Sequence, residues 1–313
     1  MEIFLRSGCE QISVRNLASC LKHLTWVAML LLAPGVDRAC AREQASSGFH
    51  PDRQRPIFER FGTRSARLLI QKKELRVLLQ ERGRTLAEIS LPELMVQVNS
   101  VSFVVGSRVA VLGMVNGNVH MVAIIDFGER KLTDRFLCYE PVLSGNRRYL
   151  AFIQFFPPHF VEGASFIYRI YDFQKSPQAN RPSWASLDDI VHAGSVVYPG
   201  ENVDARERNT QVPESDIHTL NSGTLFWSPK SERLAFADKH QGEVSLVVVQ
   251  VTEGEPTVRT WVRLLRKSEV CLSEKAECEF MVSAISFDHA RVSVTLRPFD
   301  PSSEIRRSLE FSF

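Results

Sequence analysis

Trp227-Ser228-Pro229-Lys230-Ser231-Glu232-Arg233-Leu234-Ala235-Phe236-Ala237 decides how this 313-residue chain is read. An apolar approach, a polar turn with a basic residue and a second apolar run containing a small residue describe two strands and a tight connection. Weaker copies occupy residues 101–112, 141–152 and 284–294. Aligned on Ala110, Ala151, Ala235 and Ser293, they are spaced by about 41, 84 and 58 residues. The middle spacing is close to twice the ~42 of a four-stranded propeller blade, so a further blade is expected between the second and third copies.

The runs that follow each copy agree with that architecture. Asn116-Gly117-Asn118 separates two β-rich runs, as does Asp238-Lys239-His240-Gln241-Gly242, and Asn-Gly is a strong hairpin signal. Short unbroken apolar runs such as Leu234-Ala235-Phe236-Ala237 fit strands buried on both faces. Leu68-Leu69-Ile70 and Val77-Leu78-Leu79, parted by charged residues, fit a hairpin better than a helix. The expected fold is all-β: a β-propeller of five to six irregular four-stranded blades, with an incomplete ring as the alternative.

Trp-Ser-Pro-x-x-x-Arg-Leu-Ala-Phe resembles the WD40-like repeat of bacterial TolB-type propellers, in which Asp-Gly stands where this chain has Lys230-Ser231. The other three copies lack Ser-Pro. The resemblance covers residues 100–313 and implies a noncatalytic exported scaffold that binds a protein or envelope component. Peptidases of the prolyl oligopeptidase type carry similar repeats followed by a hydrolase domain, for which the chain after the last copy leaves no room.

The first 41 residues read as an export signal. Arg6, Arg15 and Lys22 precede the apolar run 24–33, which is too short to span a ~30 Å bilayer as a helix. Pro34-Gly35 breaks it, and Ala39-Cys40-Ala41 supplies small residues for cleavage after Ala41. A buried core helix or a short anchor is the alternative. The expected organisation is a signal at 1–41, a basic linker or closing strand at 42–65, and the propeller at 66–313 with a loop-rich insertion at 174–221. The expected location is periplasmic or secreted, with no transmembrane segment after removal of the signal.

Export makes disulfides chemically accessible. Cys271 and Cys278 flank a polar turn and are the candidate pair, with two free thiols as the alternative; Cys138 reads as a small buried hydrophobe. The chain carries a formal +2, but residues 42–84 hold about +6, including Arg53, Arg55, Arg60, Arg64 and Arg67. These are candidates for an acidic partner or anionic lipid, against a solvated linker and strand face. In the Pro-, Ser- and Asn-rich insertion, Trp184, His192, Tyr198 and His218 are the aromatic and polar candidates for binding, and Asp188-Asp189 is an acidic pair without an obvious partner.

The sequence contains no GxSxG elbow, phosphate-binding glycine loop, HExxH or calcium loop. No cofactor or metal site is expected, and nucleic acid is not an expected partner of an exported chain. The expected function is a monomeric scaffold for a periplasmic or envelope protein. The alternative is a hydrolase or lyase whose site is assembled from loops at the propeller channel.

Overall fold

The computed structural model describes residues 57–71, 74–156, 165–199, 217–251, 259–265, 280–288, 291–298 and 307–312. The export signal, Arg53, Arg55, Cys271 and Cys278 lie outside them. Within the compact unit 51–313, the described chain is a succession of antiparallel meanders. The first contains β1 (Phe58–Phe61), β2 (Arg64–Gln71), β3 (Glu74–Glu81) and β4 (Arg84–Ser90). The second contains β5 (Gln97–Val104), β6 (Arg108–Asn116), β7 (Val119–Asp126) and the first part of β8 (Lys131–Leu143).

At Glu140, whose φ is 44°, β8 changes partner. Residues up to Cys138 pair with β7, whereas Tyr139, Val142 and Leu143 pair with β9 (Tyr149–Phe156). The third meander continues through β10 (Ser165–Asp172) and β11 (Ser195–Tyr198). In the fourth, the first strand is split into β12 (His218–Leu220) and β13 (Phe226–Trp227), both paired with β14 (Arg233–His240). It ends with β15 (Glu243–Gln250) and β16 (Arg259–Leu265). The fifth has β17 (Phe280–Asp288), β18 (Arg291–Pro298) and β19 (Arg307–Ser312). This is a β-propeller architecture of blade-like sheets, hereafter blades 1 to 5.

The strand alternation explains why the inner strands are apolar without interruption. Successive side chains point to opposite sheet faces, and here both faces are covered. On β14, Leu234 and Phe236 join Tyr149, Ala151 and Tyr168 of blade 3 in one core. Ala235 and Ala237 face the other way, joining Val282, Val292 and Val294 of blade 5. Likewise Leu150 and Phe152 of β9 pack with Ala110, Ile124 and Phe136 of blade 2. Complete burial of Phe236 contributes on the order of 2–3 kcal/mol.

The Trp227 motif has a defined mechanical role. Its indole lies parallel to Tyr149 of blade 3 at 5.9 Å, and Nε1 donates to Val142 O at 2.9 Å. Ser228 N–H donates to Arg233 O, and Arg233 N–H donates to Ser228 Oγ at 3.0 Å. The copy in blade 3 repeats this wiring: Ser144 N–H donates to Tyr149 O, and Tyr149 N–H donates to Ser144 Oγ at 2.9 Å. At the tip of the turn Ser231 takes φ 60°, and its blade 3 counterpart Arg147 takes 59°.

Two local expectations differ. The 84-residue spacing holds no additional sheet among the described residues; it contains the rest of blade 3, its long β10–β11 connection and the start of blade 4. Asp238-Lys239-His240 belongs to β14, so the turn is only Gln241-Gly242, at φ 50° and 78°. Asp238 stays in the strand because internal donors satisfy its carboxylate, as described next. The hairpin β2–β3 forms as read.

Candidate functional site

Tyr198 and His218 meet at the interface of blades 3 and 4, on β11 and β12, around Asp238 of β14. Tyr168 Oη donates to Asp238 Oδ1 at 2.9 Å, and His218 Nδ1 lies 2.7 Å from Asp238 Oδ2. The Tyr198 ring packs against Tyr168 at 5.9 Å and edge-on to His218 at 5.5 Å, beside this carboxylate. The His218 ring stacks on His240 at 4.2 Å and 5°, while its backbone N–H donates to Ser165 Oγ. Burial, with the adjacent Asp238 charge and hydrogen bond, raises Tyr198 to about 12 and Tyr168 well above the ordinary phenol. Both phenols thus stay protonated at neutral pH and act as donors. The arrangement is a hydrogen-bonded knot across two blades. Ser165 engages the His218 backbone, so the ring and hydroxyl are not paired as nucleophile and base.

Trp184 and His192 form a second pair, in the 173–194 connection. Their rings make an edge contact at 4.7 Å, and His192 Nδ1 lies 2.8 Å from Asp189 Oδ2. Asp189 Oδ1 accepts the N–H groups of Val191 and His192. Burial raises its pKa, but the His192 hydrogen bond and charge, reinforced by those N–H groups, outweigh it and bring the carboxyl down to about 2. The acidic pair thus has a partner after all: Asp189 shapes the loop.

What orders this loop is Arg181, following a single 3-10 turn at Gln178–Asn180. Its guanidinium grips Asp134 of β8 in a two-pronged contact, Nη1 to Oδ2 at 2.9 Å and Nη2 to Oδ1 at 2.6 Å, with both side chains fully buried. Tyr171 Oη donates to the same carboxylate, and Arg181 Nε donates to Ser186 O. Leu137 N–H donates to Ile190 O, so the loop covers the outer edge of β8. At the start of β11, Gly194 has φ 76°, and a Cβ there would lie 2.9 Å from Phe152. The result presents Trp184 at 38% and Leu187 at 44% exposure on a fixed backbone.

Strand β11 separates the two pairs, so the four sequence candidates do not form one site. Arg64 is engaged by Glu81 at 3.2 Å, by Ser107 and by the Phe127 ring. Arg60 and Arg67 are exposed, on the blade 1 face away from blade 2. Asp238, Tyr168, Asp134 and Arg181 escaped the sequence reading. A polar residue inside a strand gives no sign of burial until its neighbours across the blade interface are known.

A polar groove of about 450 Å³ lies beside the β7–β8 turn, between Arg108, Asp126, Lys131 and Pro177. Arg108 there donates to the carbonyls of Phe173 and Lys175, and Lys131 pairs with Glu129 at 2.8 Å. Among the described residues no group of three or more His, Cys, Asp or Glu side chains is placed to hold a metal ion.

No family model matches the chain, and no curated protein matches it. Solved structures similar to it include the β-propeller domain of the Trilobed protease from Pyrococcus furiosus, at 10% identity and a TM-score of 0.35, covering 82% of this chain and 68% of that one. Oligopeptidase B from Leishmania major is similar at 10% identity and a TM-score of 0.37; 82% of this chain matches 39% of that one. Hydrazine synthase from Kuenenia stuttgartiensis matches at 11% identity and a TM-score of 0.32, over 77% of this chain and 63% of that one.

Proposed function

We propose that this chain is an exported, noncatalytic propeller scaffold that binds a protein of the cell envelope through the ordered 173–194 connection of blade 3. The observation that carries the reading is the buried Arg181–Asp134 pair, which holds an otherwise exposed loop in one conformation and displays Trp184 and Leu187. A preorganised loop with an exposed tryptophan loses little conformational entropy on association, and tryptophan is enriched among residues that dominate interface energy. The export-type leader and the resemblance of the Trp227 motif to TolB-type repeats support the same assignment. The Asp238 knot supports it too, because its carboxylate, phenols and imidazole already bind one another.

The test is affinity capture from periplasmic extract with the tagged chain and a Trp184→Ala/Leu187→Ser variant. The expected result is a partner retained by the parent chain and depleted about tenfold or more by the variant. Equal retention by both would remove the loop from the binding surface. Hydrolysis of a peptide or ester panel, abolished by His218→Ala in a folded variant, would support the enzyme reading instead.

A further inference from the structure

The first-to-second and third-to-fourth turns of blades 1 to 3 fall at one end of each sheet, as does the β13–β14 turn of blade 4, and cross-blade contacts bring these ends together. Val105 N–H donates to Arg147 O, and Asn146 N–H donates to Ser231 Oγ at 3.0 Å. Glu59 of blade 1 accepts from Phe103 N–H of blade 2 and pairs with Arg147 of blade 3 at 2.6 Å. Most acids of this end are matched: Glu59 by Arg147, Glu81 by Arg64, Glu129 by Lys131 and Asp172 by Arg148. Exposed Arg60, Arg82, Arg84, Arg130 and Lys230 have no ion-pair partner among the described residues. Against them, among the described residues of blades 1 to 4, stand Glu232, Asp188 and Asp126, and Asp126 accepts the N–H groups of Gly128 and Glu129.

Blade 1 concentrates this charge beside exposed aromatic surface. Arg82 N–H donates to Thr63 O at 2.8 Å, locking the β1–β2 and β3–β4 turns side by side. Phe61 is 65% exposed at the first turn, and Phe58 is 50% exposed on the adjoining strand. Gly62 and Gly83, at the two tips, have open space where a Cβ would stand, so both turns project. A projecting basic and aromatic tip suits a flat anionic surface.

We propose that the turn end of blade 1 docks onto membranes containing anionic phospholipid, with Phe61 entering the headgroup layer and Arg60, Arg82 and Arg84 pairing with lipid phosphates. The residues it uses are all in blade 1, so its test is independent of the one made on Trp184 and Leu187.

The test is co-sedimentation of the full chain with vesicles of phosphatidylcholine alone or mixed with phosphatidylglycerol. The apolar run 24–33 is common to all variants, so differences between them report on blade 1. Binding is expected to be stronger with phosphatidylglycerol, and the phosphatidylglycerol-dependent part to weaken with salt and to fall about twenty-fivefold in Arg82→Ala/Arg84→Ala, at roughly fivefold per arginine. Arg82→Lys/Arg84→Lys should retain it, Phe61→Ser should weaken it, and Arg297→Ala on blade 5 should leave it unchanged. Equal binding to both vesicle types, an unaffected Arg82→Ala/Arg84→Ala variant, or binding to polyglutamate with none to vesicles would overturn the proposal.

Discussion

His218 Nδ1 and Asp238 Oδ2 lie 2.7 Å apart, with the two side chains 7% and 0% exposed, and the contact joins the split first strand of blade 4 to its second. Tyr168 brings blade 3 to the same carboxylate. Removing the acceptor strands its buried donors, so Asp238→Ala should cost about 3–5 kcal/mol. Tyr168→Phe, which deletes one donor, should cost about 1–2 kcal/mol. Denaturant unfolding measures both, and a loss below about 1 kcal/mol for Asp238→Ala would show that the knot contributes little.

Ser231 combines two opposing effects. Its φ of 60° is unfavourable for a residue with a Cβ, by roughly 1–2 kcal/mol, whereas its hydroxyl accepts Asn146 N–H from blade 3. Ser231→Gly relieves the first and loses the second, so its stability should stay within about 1 kcal/mol of the parent. Ser231→Ala keeps the strain and loses the hydrogen bond, so it should be destabilised by about 1 kcal/mol. Thermal unfolding of the pair gives the ordering; Ser231→Ala at least as stable as Ser231→Gly would contradict it.

Arg181→Ala leaves the Asp134 carboxylate buried without its charge partner, at a cost of about 3–5 kcal/mol. The local consequence is more diagnostic than the global one. Limited proteolysis should cut the variant within 182–192 well before the parent chain, whereas Ser176→Ala on the same connection should leave the pattern unchanged.

Tyr198 responds to alkali. Its pKa rises from 10 in the free phenol to about 12 in the fold, so the folded state holds this proton more tightly than the unfolded state. The stabilisation is complete below pH 10 and is lost as pH rises from 10 to 12. Tyr198→Phe should flatten this part of the stability profile, and ultraviolet tyrosinate titration should show one fewer high-pKa phenol.

Asp189 gives the opposite dependence in acid. Its pKa is lowered from 3.8 to about 2, so its contribution is present above pH 3.8 and disappears as pH falls through 2. After solvent screening it is worth on the order of 1 kcal/mol. Asp189→Asn should remove the corresponding slope, read from unfolding curves between pH 4 and pH 2.

Legibility followed the range of the interactions. Gly62, Gly83 and Gly242 sit at tight turns with positive φ, and the apolar runs on either side of such turns carry the strand signal. The turn after Asn116 was recognised, but its central residues are Gly117 and Asn118, with only Gly117 at positive φ. A β-bulge between Met114 and Asn116 shifts the hairpin register there. Trp184 and His192 were legible as residue types, and their edge contact was not. Arg181 carries no local signal of its role, because it is buried against a carboxylate 47 residues earlier.

The sequence by itself determined that the chain would form short strands in repeated meanders, because turn dihedrals and alternating burial are properties of near neighbours. The Trp227 motif was enough to identify the blade connection. Only the tertiary structure decided that Trp227 clamps Tyr149, that Asp238 gathers Tyr168 and His218, and that Arg181 fixes the Trp184 loop. All of those contacts except His218–Asp238 join different blades, and they depend on which faces are brought together. A polar residue in a strand is solvated or buried according to the sheet that packs against it, and no local pattern contains that sheet.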